Sequence, residues 1–122
     1  MAYNLNLADR VRSYLGSTRE KIEEKKMFSG LTFMVNDKMC ICISEENLMC
    51  RFDPRRQEEV LGKIGVQPMI MKEKQLRGYC YVNPEGFKTK KDFDFWLQLC
   101  LDFNKKAKSS KQAANIQNTT GS

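Results

Sequence analysis

The chain holds 122 residues, which sets one domain with room for a real hydrophobic core. With 41% apolar and 30% charged side chains it has the make-up of a soluble globule, and no apolar run approaches the ~18 residues of a membrane-spanning helix. Its net charge of +6 is concentrated at one end: Lys105, Lys106, Lys108 and Lys111 follow the last acid, Asp102, so residues 1–104 carry only +2, which speaks against a body built to coat nucleic acid.

Residues 1–20 carry Asp9, Arg10 and Arg12 and lack the apolar stretch of a secretory signal, so a cytoplasmic location is expected. Leu7, Ala8, Val11, Tyr14 and Leu15 recur at helical spacing and predict a helix over 6–15, capped by Asn6 and stopped near Gly16. A charged segment, 21–26, continues through Met27 and Phe28 as an edge strand whose charges discourage unwanted pairing. Ser29-Gly30 reads as a turn or bulge, where glycine permits positive φ or close backbone approach. Three β-rich runs follow, Leu31–Val35, Met39–Ile43 and Leu48–Phe52. Asn36-Asp37 and the stretch from Ser44 to Asn47 separate them, the pattern of consecutive hairpins. Strict alternation puts Leu31, Phe33, Val35, Met39, Ile41, Ile43, Leu48, Cys50 and Phe52 on the side that meets helices. The other side offers Thr32, Met34, Cys40, Cys42, Met49 and Arg51. It is soft and short of charge, to be covered by a loop or the tail, or else to meet a partner.

Asp53-Pro54 opens a second helix, reaching about Lys63 with Val60, Leu61 and Ile64 inward, and Gly65 ends it. Pro68–Met71 is a short strand and Lys72 to Gln75 a polar turn. Leu76–Val82 is a strand with Arg77, Tyr79 and Tyr81 on one side and Cys80 and Val82 on the other. Asn83-Pro84-Glu85-Gly86 is a turn by composition. Thr89 caps the last helix, with Asp92 in a capping-box position, and the helix runs to about Lys108. Its polar stripe, Asp94, Gln98, Asp102 and Lys105, is narrow. So wide an apolar arc implies burial on more than one side, one flank being a candidate protein interface. Residues 109–122, rich in Ser, Asn, Gln, Thr and Gly, are expected to form a disordered polar tail to a domain spanning 1–108. The order helix, four strands, helix, two strands, helix predicts a two-layer α+β fold, with an antiparallel sheet of five to six strands and helices on one face.

Chemistry is thin. An odd cysteine count, with Cys40, Cys42, Cys50 and Cys80 in strand-like runs, argues against a disulfide framework and for reduced core thiols. Those four lack the turn-borne Cys-x-x-Cys knuckle of a zinc site. The chain has no histidine, so the usual general base and metal ligand are missing. No catalytic residue, cofactor or metal is expected, and the chain reads as a non-enzyme.

Several spaced stretches are familiar. Met27 to Val35, MFSGLTFMV, resembles the MFGGLxFMV signature of the TfoX (Sxy) N-terminal domain family. Leu48-Met49-Cys50-Arg51 resembles its LMxR, Pro68-Met69 its PM pair, and Arg77 to Gly86 its (K/R)GYxYVxPEG; Trp96 also sits in the family's place. Ser29 stands where the family usually has glycine, and Asn36-Asp37 where Asn-Gly is common. The resemblance implies the two-layer α+β arrangement of secretion chaperones and attaches no catalytic residues. Members include regulators of natural competence that assist a cyclic-AMP receptor protein at target promoters. Those regulators usually carry a second, helical C-terminal domain, so this chain is expected to be a stand-alone member.

Two readings of function follow. The first is a non-enzymatic regulatory or protein-interaction module. Its partner surface would be Met34, Met49, Arg51, Arg77, Tyr79 and Tyr81, its partner the transcription machinery or a second copy. The second is direct nucleic-acid binding through Lys105, Lys106, Lys108 and Lys111, and through Arg77, Tyr79 and Tyr81, since strand aromatics can stack bases. No membrane partner is expected.

Overall fold

A computed structural model describes residues 3–27 and 30–107. The elements are α1 (Leu5–Gly16), β1 (Ile22–Met27), β2 (Gly30–Val35), β3 (Lys38–Ser44), β4 (Asn47–Arg51), α2 (Gln57–Leu61), β5 (Val66–Met71), β6 (Lys74–Val82) and α3 (Lys90–Asn104). All strand pairs are antiparallel, and the spatial order is β1-β2-β3-β4-β6-β5. The predicted α+β class and element order hold. No helix among the described residues is long and apolar enough to cross a membrane.

Turn chemistry explains the meander. Asn36 and Asp37 take φ of 53° and 66°, the paired left-handed conformation of a two-residue hairpin turn, which Asn and Asp tolerate. Gly30 answers the other need foreseen for it. A Cβ there would stand 1.9 Å from the Ile43 carbonyl oxygen, so glycine is required by close approach of β3.

One side of the sheet carries the helices. Leu7, Val11 and Leu15 of α1 and Phe93, Trp96, Leu97 and Cys100 of α3 press on Phe33, Ile41, Leu48 and Phe52 in one buried cluster. Each fully buried Leu or Phe side chain contributes about 1.5–3 kcal/mol, so this layer supplies most of the stability. Two polar side chains that enter it find partners. Trp96 Nε1–H donates to the Gly86 carbonyl at 2.9 Å, and Asn104 Nδ2–H donates to the Val35 carbonyl at 3.2 Å. The broad apolar arc of α3 is satisfied inside the chain. Leu99 and Leu101 are buried, and the half-buried Phe95 and Phe103 lie under the Lys63 and Arg51 cations at 4.4 Å and 5.6 Å.

Three expectations shift. The first helix is capped by Asn4, which accepts from the Leu7 N–H at 2.9 Å, not by Asn6. Asn4 is extended and its own N–H is tied to the Glu45 carbonyl, so the helix begins as soon as that tie ends. The second helix stops at Leu61, and Ile64, expected inward, is 77% exposed. The helix gives out before Gly62, and Gly65 at φ +80° redirects the chain into β5, leaving Ile64 on the outside of the bend. The last helix ends at Asn104. Lys108 and the polar tail 109–122 lie outside the described residues.

Candidate interaction surface

The sheet's second side carries no helix of the main cluster, yet it is not bare. Cys42, Met49 and Met69 are buried there, with Met39, Leu76, Tyr79 and Tyr81 packed half-buried around them. Two irregularities build this small sulfur-rich cluster. In the β2–β3 pair, Phe33 faces Ile41 but Met34 faces Met39, so one residue is extra on β3. The bulge reverses the alternation: Met39, expected toward the helices, joins the second side, while Cys40 enters the helix-side core. In the β5–β6 pair, Pro68 faces Cys80 and Ile70 faces Gln75, so Leu76 to Tyr79 are matched by Met69 alone. Gly78 takes φ +84° inside that stretch. Its N–H donates to the Gln57 side-chain carbonyl at 2.9 Å and its carbonyl accepts from the Phe52 N–H at 2.8 Å. The bent hairpin places Met69 of the sheet edge in one cluster with Cys42 and Met49 of its middle.

This packing redistributes the expected partner surface. Met49 is 1% exposed and offers nothing to a partner. Met34, Tyr79 and Tyr81 are half-buried. Arg51 reaches the Met39 carbonyl at 3.4 Å, and its guanidinium carbon lies 5.9 Å from the Tyr79 ring centre. Arg77 is exposed, next to left-handed Gly78, and its Nη2–H donates to the Pro54 carbonyl at 3.1 Å. The six residues therefore do not form one open face. Of the lysine cluster, Lys105 and Lys106 are exposed just past α3, with Lys106 Nζ 3.9 Å from Asp53. Lys108 and Lys111 lie outside the described residues.

Exposed apolar side chains collect elsewhere. Among the described residues, Ile64, Ile70 and Met71 are three of the five large ones in water, at 77%, 57% and 47% exposure. All three lie on or beside β5, an edge strand without a single charge, Val-Gln-Pro-Met-Ile-Met. The opposite edge, β1, reads Ile-Glu-Glu-Lys-Lys-Met. A surface at β5 was not foreseen, because an uncharged β-run reads as buried; only the strand order reveals it as an edge.

The groups with chemical potential are shielded. All five cysteines are buried and unpaired. Burial pushes the thiols of Cys40 and Cys42 up and that of Cys50 well up, away from the reactive thiolate. No group of three or more Cys, Asp or Glu among the described residues is arranged to hold a metal ion. A polar hollow of about 290 Å³ at the far end of β4 and β6 is lined by Ser44, Glu45, Asn47, Gln67, Tyr81 and Asn83, with one carboxylate and no cation.

No curated protein and no solved structure matches this chain. The family model described as the TfoX N-terminal domain matches residues 14–104, from the last turn of α1 to the end of α3. That span takes in the whole sheet and its turns, and the chain belongs to the TfoX N-terminal domain family.

Proposed function

We propose that this chain is a non-enzymatic, cytoplasmic bacterial regulator of transcription or competence, acting by holding another protein. The observation that carries the reading is the uncharged, exposed edge of β5, with Ile70 and Met71 in water. An open edge offers backbone N–H and C=O groups to an added strand, and neighbouring apolar side chains supply specificity. Pro68 has no N–H to offer, which confines the pairing stretch to Met69–Met71 and its flank. Family membership supports the regulatory side of the reading, and the shielded thiols support its non-enzymatic side.

The test is a titration against purified cyclic-AMP receptor protein, the partner class the family resemblance implies. Parent chain and an Ile70→Asp/Met71→Asp variant are compared by calorimetry. The variant is expected to bind at least ~10-fold more weakly with an unchanged circular dichroism spectrum. Equal binding by both would remove β5 as the surface, and no binding by the parent would remove this partner. The second reading, direct nucleic-acid binding, is favoured by the exposed Lys105 and Lys106. It requires that the chain alone bind duplex DNA at near-physiological salt.

A further inference from the structure

The other edge of the sheet carries a different message. Strand β1 pairs only with β2, and Glu23 to Met27 are exposed. Its sequence, Ile22-Glu23-Glu24-Lys25-Lys26-Met27, places two acids ahead of two bases between apolar ends. Side chains alternate across the sheet, so Glu24 and Lys26 share the helix side, opposite Phe33 and Leu31, while Glu23 and Lys25 share the other, opposite Met34 and Thr32. Each side thus shows one acid and, two residues on, one base.

Charges on an edge normally repel any approaching strand. One strand escapes that penalty: the same strand, reversed. A two-fold axis normal to the sheet sets residues directly opposite each other only when both point to the same side. With the axis through Glu24, Glu23 meets Lys25 of the second copy and Lys25 meets Glu23, two ion pairs from one symmetric contact. The like pair at the centre, Glu24 against Glu24, is already neutralised from within. Arg12 of α1 holds each carboxylate through two bonds, at 2.5 Å and 2.8 Å. The neighbouring register, centred on Lys25, also sets Glu24 against Lys26, but Glu24 is already held by Arg12, and two Lys25 side chains that make no ion pair among the described residues would face each other. Glu23's own contact within the chain is a long one, 3.8 Å to the exposed Lys21, and leaves it available.

We propose that β1 is a self-association edge, on which a second copy of this chain pairs antiparallel in the Glu24-centred register to make one continuous sheet of two domains. The contact leaves a β5 edge free at each outer end, so it is independent of the β5 reading above.

Sedimentation equilibrium over a concentration series tests it. The parent is expected to dimerise, and Glu23→Lys or Lys25→Glu alone to weaken the dimer at least ~10-fold, since each sets two like pairs face to face. The double swap Glu23→Lys/Lys25→Glu restores the match and is expected to return the dissociation constant to within ~3-fold of the parent. Both changed side chains are exposed, and a thermal melt of each of the three variants is expected to overlay the parent's. A parent that stays monomeric at millimolar concentration overturns the proposal. So does a dimer that ignores the single swaps, or one that the double swap fails to restore.

Discussion

Met49 shows how one side chain decides between two accounts of a surface. Read by alternation it lies on the softer side of the sheet and is a natural anchor for a partner. In the fold it is sealed by Cys42, Met69 and the two tyrosines. Met49→Ala is therefore expected to lower the free energy of unfolding in urea by about 2–5 kcal/mol, whereas Arg77→Ala, at an exposed position, stays within about 0.5 kcal/mol. A Met49→Ala variant as stable as the parent would return that side of the sheet to the surface. Glu24 gives a second residue-scale prediction, in pH. Its bonds to the Arg12 guanidinium hold the carboxyl below the ordinary glutamate range, against a smaller opposing effect of burial. A carboxyl depressed in the folded state stabilises the fold above its unfolded pKa, and the gain is lost as pH falls through the folded value. Stability should drop on acidification below about pH 4.5, and Arg12→Gln should remove part of that dependence. Identical pH profiles for the two chains would contradict the assignment.

At the scale of elements, the turns carry a measurable inefficiency. Lys72 and Glu73 both take positive φ, 53° and 65°, in the β5–β6 turn, as Asn36 and Asp37 do between β2 and β3. Lysine and glutamate pay more for that conformation than Asn-Gly. Lys72→Asn/Glu73→Gly is expected to raise the unfolding free energy by about 1 kcal/mol, read from the urea midpoint at unchanged slope. A destabilised double variant would mean that the lysine or glutamate side chain makes a contact that matters more than the turn. Element existence was legible because it rests on local signals: apolar periodicity, the Thr89 cap, the Asn36-Asp37 turn. Both bulges were illegible. Met39 and Cys40 are equally apolar, so no change of pattern marks the reversal between them, and the long mismatch around Met69 depends on pairing with a distant strand. The exposure of Ile64, Ile70 and Met71 was hidden for a related reason. Burial of an uncharged strand depends on its place in the sheet, and that place is set by β6 passing between β4 and β5.

For the whole molecule, the two edges of one sheet are built differently. The edge at β1 is charged in a self-matching order, and the edge at β5 is uncharged and apolar. The helices and both buried clusters hold these edges apart across six strands, with the buried thiols enclosed between them. For the protein-holding role proposed above, the lysines that follow α3 make DNA the decisive competitor to a protein partner. The most direct measurement is a titration of the full chain with promoter duplex DNA at low and at near-physiological salt. A protein-holding module is expected to bind duplex weakly at low salt, through the lysines that follow α3, and to lose that binding at the higher salt whatever the sequence. Binding that survives near-physiological salt and prefers one sequence would contradict it and make the chain a nucleic-acid reader.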